Sequence, residues 1–363
     1  MKRTGALVAV VIAAACAGQG CWPVRLADEE FRDAVPLKDD LEVKIGAQDA
    51  EPTQQAALVS PAAALDPHVD PSCADTLCQQ VEGGEPSYVD GAVYELVRDA
   101  KWHVNGGLEV MLGWVELIVE TPYADETTDG YVWGPWAESL SRIAFRFTMS
   151  KESAGHFSMV LEGRNINASA AEPWTPVVTG TLEAGSEPHA SKGTIALDYT
   201  AIHAIDTSYP TPESGRVVYD FDVRELPFYV NATFEDVAVD DAGGPAIDAE
   251  YDYIREDDGM AGELQFDVDA DLWPADAPDG LYEKLYVDAQ WTGDGEGKGG
   301  ADATGGTLGT ADAGASELAL DECWAGQPCL FYQTYAVYQA IGTEALPDAI
   351  YEQCGSEESC PSF

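Results

Sequence analysis

Three aspartates at alternate positions, Asp267, Asp269 and Asp271, are the first residues in this 363-residue chain whose spacing points to chemistry, because D-x-D-x-D opens a calcium-binding loop. The loop is not completed. Its turn position is Leu272 where a glycine is needed, and its twelfth position is Pro278 where a bidentate glutamate is needed. Alternate residues of a strand share a face, so these aspartates read as the wet side of a strand whose dry side is Leu264, Phe266 and Val268. A loose calcium site completed by Asp276 and Asp279 is the second reading, and divalent cations stay among the candidate partners. Glycines 293, 295, 297, 299 and 300 surround Lys298 like a phosphate cradle, yet Gly299 stands where a P-loop needs Ser or Thr. A flexible hairpin loop is expected there. The five histidines, His68, His103, His156, His189 and His203, lack metal-ligand spacing, and no G-x-S-x-G or H-E-x-x-H motif occurs. Neither an enzyme nor a cofactor is therefore expected. A carboxylate pair for glycoside hydrolysis stays open, because 65 acidic residues hide any pair and nine Trp with sixteen Tyr could line a sugar groove. Core packing is the commoner use of those rings.

The cysteines carry the other chemistry. Cys73 and Cys78 are spaced wrongly for a C-x-x-C redox or zinc knuckle, so they read as a structural disulfide in an oxidising compartment. Cys323, Cys329, Cys354 and Cys360 also lack zinc spacing. Two disulfides pinning the C-terminal tail to the last strands fit them, with the pairing open at this point.

The chain starts Met1, Lys2, Arg3, followed by an apolar run over 5–15 and then Cys16, the shape of a secretion signal. That run is far below the ~20 apolar residues of a membrane span. Ala13, Ala14 and Ala15 before Cys16 look like a lipobox, with Ala13 where leucine is usual. Cys21 competes: cleavage before it leaves an even six cysteines behind the anchor, whereas the end of the apolar run favours Cys16. The expected layout is a lipoprotein signal peptide over 1–15, a lipid anchor and flexible acidic tether over 16–86, and one domain over 87–363. Residues 22–86 are rich in Ala, Asp, Glu, Gln and Pro, with one possible short helix around Leu26 to Val35, and otherwise read as too poor in apolar area to fold. The net charge of -47 excludes tracking of nucleic-acid phosphates and fits a surface adapted to salt.

Over 88–120, apolar residues recur at spacings of three and four, from Val89, Val93, Leu96 and Val97 through Leu108, Met111, Leu112 and Val115 to Val119, predicting a core-facing helix. Asn105, Gly106 and Gly107 interrupt it, so one long helix or a broken pair is expected. Period-two segments then follow, for example Ile143, Phe145, Phe147 and Met149 alternating with Arg142, Ala144, Arg146 and Thr148. The fold class expected is mainly β with an N-terminal helix: a curved antiparallel sheet, meander or half-barrel, packed around that helix.

The segment Val132 to Trp136 (VWGPW) after an N-terminal helix, the Gly-rich 291–306 stretch, Glu322-Cys323-Trp324 (ECW) and the Cys360 to Phe363 ending together resemble a broad family of uncharacterised lipoproteins from myxobacteria and related deltaproteobacteria. The resemblance covers the domain after the tether. Lys298 stands where that group tends to have Arg, and Cys329 and Cys354 look like an added pair. It implies a Cys323–Cys360 bridge, which leaves Cys329 for Cys354. No activity comes with the family.

A lipid-anchored protein of the outer membrane or cell surface is thus expected, bound to the membrane through its N-terminal lipid and serving as a non-catalytic binding or interaction module. Its partner is read as a protein, an apolar ligand or a polysaccharide. The alternatives are a carrier of an apolar ligand resembling LolA-type carriers, and a carbohydrate-active protein; the first rests on fold-level analogy.

Overall fold

The computed structural model describes residues 26–45, 92–137, 142–169, 172–206, 214–238, 246–257, 260–270, 283–306, 315–325, 329–341, 344–355 and 360. The expected signal peptide, Cys16, Cys21, Cys73, Cys78 and Asp271 lie outside them.

The described residues form two compact units. One comprises Met1–Leu41, Gly106–Glu225 and Phe234–Ala246; the other comprises Glu42–Asn105, Leu226–Thr233 and Ile247–Phe363. Strands dominate both, and every described pairing is antiparallel between neighbours in sequence. The mainly β, antiparallel class read from the alternation is what the structure has.

The first unit holds α1 (Glu29–Asp33), α2 (Lys38–Leu41) and the strands β1 (Asp125–Glu126), β2 (Gly130–Ala137), β3 (Ile143–Ser153), β4 (His156–Asn165), β5 (Thr175–Ala184), β6 (Ser191–Asp198) and β7 (Ser214–Asp222). The long helix α3 (Ala92–Val119) is one continuous element whose second half, from Gly106, belongs here. Of the two alternatives expected, one long helix and a broken pair, the structure has the first. Gly107 lies under the Tyr219 side chain of β7, where an added Cβ would come within 2.2 Å of the hydroxyl oxygen. A glycine that weakens a helix by about 1 kcal/mol is kept for a close approach. Trp133, Phe147, Met149, Met111 and Leu112 are fully buried in this unit.

Part of the stretch expected as a tether is also ordered. Phe31 of α1 packs edge-on against Tyr131 and Phe157 at centroid distances of 5.0 and 5.1 Å. Its neighbours Ala34, Val35 and Leu41 are buried too, and His189 donates its backbone N–H to Asp33 O at 2.7 Å. A few large apolar side chains, each contributing about 1.5–3 kcal/mol, offset the ordering cost that the polar composition seemed unable to meet.

VWGPW is a bulge in β2, with the register against β3 shifting between Trp133 and Trp136. Gly134 has φ +88 there, a conformation that favours glycine. Trp133 donates its indole N–H to Thr121 O at 3.0 Å, just past the end of α3. The motif thus holds the chain where it leaves the helix.

In the second unit β9 (Ile247–Arg255), β10 (Gly262–Ala270), β11 (Glu283–Trp291), β12 (Gly297–Gly305), β13 (Ala315–Ala325), β14 (Cys329–Ile341) and β15 (Glu344–Gly355) pair in chain order. Strand β8 (Phe228–Ala238) is divided between the two units. The Gly-rich stretch expected as a flexible loop is mostly strand β12, and only 292–296 forms the turn. Neighbouring side chains explain the glycines. A Cβ at Gly297 would meet the Trp324 ring at 2.3 Å, and one at Gly299 would come within 2.9 Å of Val93 Cγ1 on α3. The first half of α3 belongs to this unit, where Asn105 accepts from Val43 N at 2.8 Å and donates back to Val43 O at 3.0 Å.

Candidate functional site

On β13 the side chains alternate, so Glu322 and Trp324 face inward while Asp321 faces out. Glu322 is 2 % exposed and accepts a hydrogen bond from Tyr94 N at 2.9 Å. The backbone N–H groups of Ala92 and Val93 reach the same carboxyl, so a strand residue 228 positions away caps the first turn of α3. Its second oxygen, Oε2, is buried without a hydrogen-bond partner, as is the indole Nε1 of Trp324. Burial is the main influence on this carboxyl and pushes its pKa up; the three N–H groups pull it down, and Glu95 adds a further upward push. Trp324 meets Tyr94 edge-on at 5.6 Å. Between them, Cys323 is bonded to Cys360 with Cα atoms 5.6 Å apart, the bridge that the family resemblance implies. Cys354 stands opposite Gln333 and Cys329 opposite Ala325 in the ladders. Three consecutive residues therefore tie a helix start, a chain end and the glycine strand to β13.

The outer face of β10 to β13 is acidic. Asp267 lies opposite Glu250 and Tyr286, and Asp269 opposite Lys284, both exposed as alternation required. Asp288 and Asp321 flank Gly300, where a Cβ would be 3.2 and 3.1 Å from their Oδ1 atoms. Partial burial, then repulsion from Asp321 and Glu263, raises the pKa of Asp288; burial, then Glu317, Asp321 and Asp288, raises that of Asp302. The Tyr286 phenol is pushed up first by burial and then by Asp288, Asp267, Glu263 and Asp302. Among the described residues no group of three His, Cys, Asp or Glu side chains is placed to hold a metal ion. His103 is pushed down by burial.

A different surface lies on the outer face of β3 to β5 in the first unit. Arg146 and Glu162 are cross-strand partners, with Arg146 Nη2 donating to Glu162 Oε2 at 2.6 Å and Nε donating to the same oxygen at 3.0 Å. Arg164 is one row along, opposite Ala144. Trp174, just before β5, brings its ring to both guanidiniums, 4.9 Å from Arg146 Cζ and 4.4 Å from Arg164 Cζ. Such contacts contribute about 0.5–1 kcal/mol each at exposed sites. Arg164 has a donor 3.5 Å from Glu172 O, which leaves most of its five N–H groups for other acceptors. Arg142 and Arg146 were legible as the wet side of a strand, but Trp174 was not. The available signal was the clustering of arginines at 142, 146 and 164 in a chain with only 18 basic residues.

Trp291, Trp324 and Tyr253 of the second unit, and Trp133, Phe147 and Met149 of the first, are fully buried. No protein-family model, curated protein or solved structure matches this chain, so its fold and sites rest on its own residues.

Proposed function

We propose that the chain is an exported, lipid-anchored, non-catalytic binding module, and that the face around Trp174 takes a neutral polysaccharide. The observation that carries the reading is the half-buried indole of Trp174 set against Arg146 and Arg164 beside Glu162. An aromatic face suits the C–H side of a sugar ring, and guanidinium N–H groups suit its hydroxyl oxygens. Because Arg146 is neutralised by Glu162 and the whole chain carries -47, the arrangement favours a neutral glycan over a polyanion. Glycoside hydrolysis needs two carboxyl groups about the scissile bond, and Glu162 is already held by Arg146. That pairing supports binding without cleavage at this face. Retention of the protein in gels containing xyloglucan, galactomannan or hydroxyethyl cellulose should fall at least tenfold in Trp174→Ala and Arg164→Ala. Retention on none of these glycans, or unaltered retention in both variants, would retire the reading.

The export part is supported by the 5–15 apolar run before Cys16 and by the Cys323–Cys360 bridge, which suits an oxidising compartment. Cys16→Ser should move the protein from the membrane fraction to the soluble one and end palmitate incorporation. If Cys21→Ser does so instead, the anchor is Cys21; if the double variant still fractionates with membranes, there is no lipid anchor.

A further inference from the structure

We propose that Glu322 is a protonation-controlled latch on the first turn of α3: the neutral carboxyl keeps residues 92–94 docked on β13, and ionisation loosens them.

The geometry sets the conflict. A cap is best served by a carboxylate, because the N–H groups of Ala92, Val93 and Tyr94 and the helix dipole favour negative charge. Glu322, however, is a strand residue held inside the second unit, with Gly299 and Gln333 as its neighbours in the ladder. Its Oε2 has no hydrogen-bond partner and Trp324 Nε1 does not reach it, so the charged form keeps half its oxygens unsolvated. On α3 the facing charge is Glu95, a carboxylate that Arg98 pairs at 3.5 Å. On β12 the neighbouring charged residue, Lys298, is exposed on the opposite face. On β14 the opposing position is the uncharged Gln333. No cation on these elements compensates for the ionised carboxylate.

Burial therefore wins over the three N–H groups, and the carboxyl is pushed up to about 7 from an ordinary value near 4.5. The sign follows from proton linkage. When the latch opens, the carboxyl meets water and releases its proton at the lower value, so docking is favoured fully below pH 4.5 and loses that advantage as pH rises through 7. Between pH 5.5 and pH 8 the open fraction should rise about 30-fold. The window spans neutrality, where ordinary carboxylates no longer titrate.

Hydrogen exchange of the full mature protein tests this at single amides. After correction for base catalysis of exchange, the Tyr94 amide should exchange about 30-fold faster at pH 8 than at pH 5.5. The Val43 amide, bonded in the same unit to Asn105, which lies about three helical turns along α3 from Tyr94, serves as the internal reference and should change less than about twofold. In Glu322→Gln, which cannot ionise, the pH dependence at Tyr94 should vanish while the helix stays formed by circular dichroism. If that variant does not fold, the wild-type contrast between Tyr94 and Val43 decides. Equal pH responses at the two amides, or a Glu322→Gln profile identical to wild type, would overturn the proposal.

Discussion

Trp324→Ala should destabilise the second unit by about 3–5 kcal/mol, the range for removing a large buried aromatic side chain. Its indole is fully buried, roofs Gly297 and meets Tyr94 on the first turn of α3. Removing it opens a cavity over a strand whose glycines have no side chains to fill it. At about 2–4 °C per kcal/mol for a unit of this size, melting should fall by roughly 6–20 °C. Trp324→Phe should recover much of that loss, because the indole N–H has no partner to forfeit. Trp102→Ala is the control: that side chain is 45 % exposed, so the change should stay within about 0.5 kcal/mol. Equal effects of Trp324→Ala and Trp102→Ala in thermal scans would mean that the ECW segment does not organise this unit.

Removing the Cys323–Cys360 bridge should cost about 4 kcal/mol. The two residues are 37 apart in sequence, and the chain-entropy account of closing such a loop gives that size. Alanine is the right replacement at position 323, because the sulfur is fully buried and a serine hydroxyl would need a partner there. Cys323→Ala with Cys360→Ala should shift the denaturant midpoint down and steepen the slope, because the denatured chain without the bridge is less compact and exposes more surface. An unshifted midpoint would show that the C-terminal segment is held by other contacts.

The sequence was most legible where a residue's role depends on its near neighbours. Alternation over 143–149 and 264–268 placed Phe147, Met149, Leu264 and Phe266 inside, and the structure buries all four. The aspartates 267 and 269 were read as a wet face for the same reason, and both are exposed. Reading failed where distant residues decide. Glycines 297, 299 and 300 looked like a loop, since glycine disfavours strands; Trp324, Val93 and the Asp288 and Asp321 carboxylates need the space that side chains would occupy. Asn105 and Gly107 left one long helix and a broken pair equally open, because what decides is that one bonds Val43 and the other admits Tyr219. Residues 26–45 looked like tether apart from one short helix around Leu26 to Val35, because the packing of a handful of apolar side chains such as Phe31 and Leu41 is invisible to composition until a partner surface is known. Glu322 was noticed as part of a motif, but its capping of a helix 228 residues away depends on strand register, which spacing alone does not give.

One incubation tests both halves of the proposal, that the protein binds a neutral glycan and that it does not cleave it. The mature protein is mixed with a soluble neutral polysaccharide, and bound protein and newly formed reducing ends are measured in the same samples. Saturable binding that Trp174→Ala abolishes is expected, with reducing ends unchanged over days. Reducing ends that accumulate with protein and time would contradict it and make the protein a carbohydrate-active enzyme. Binding indifferent to Trp174→Ala would move the site away from β3 to β5.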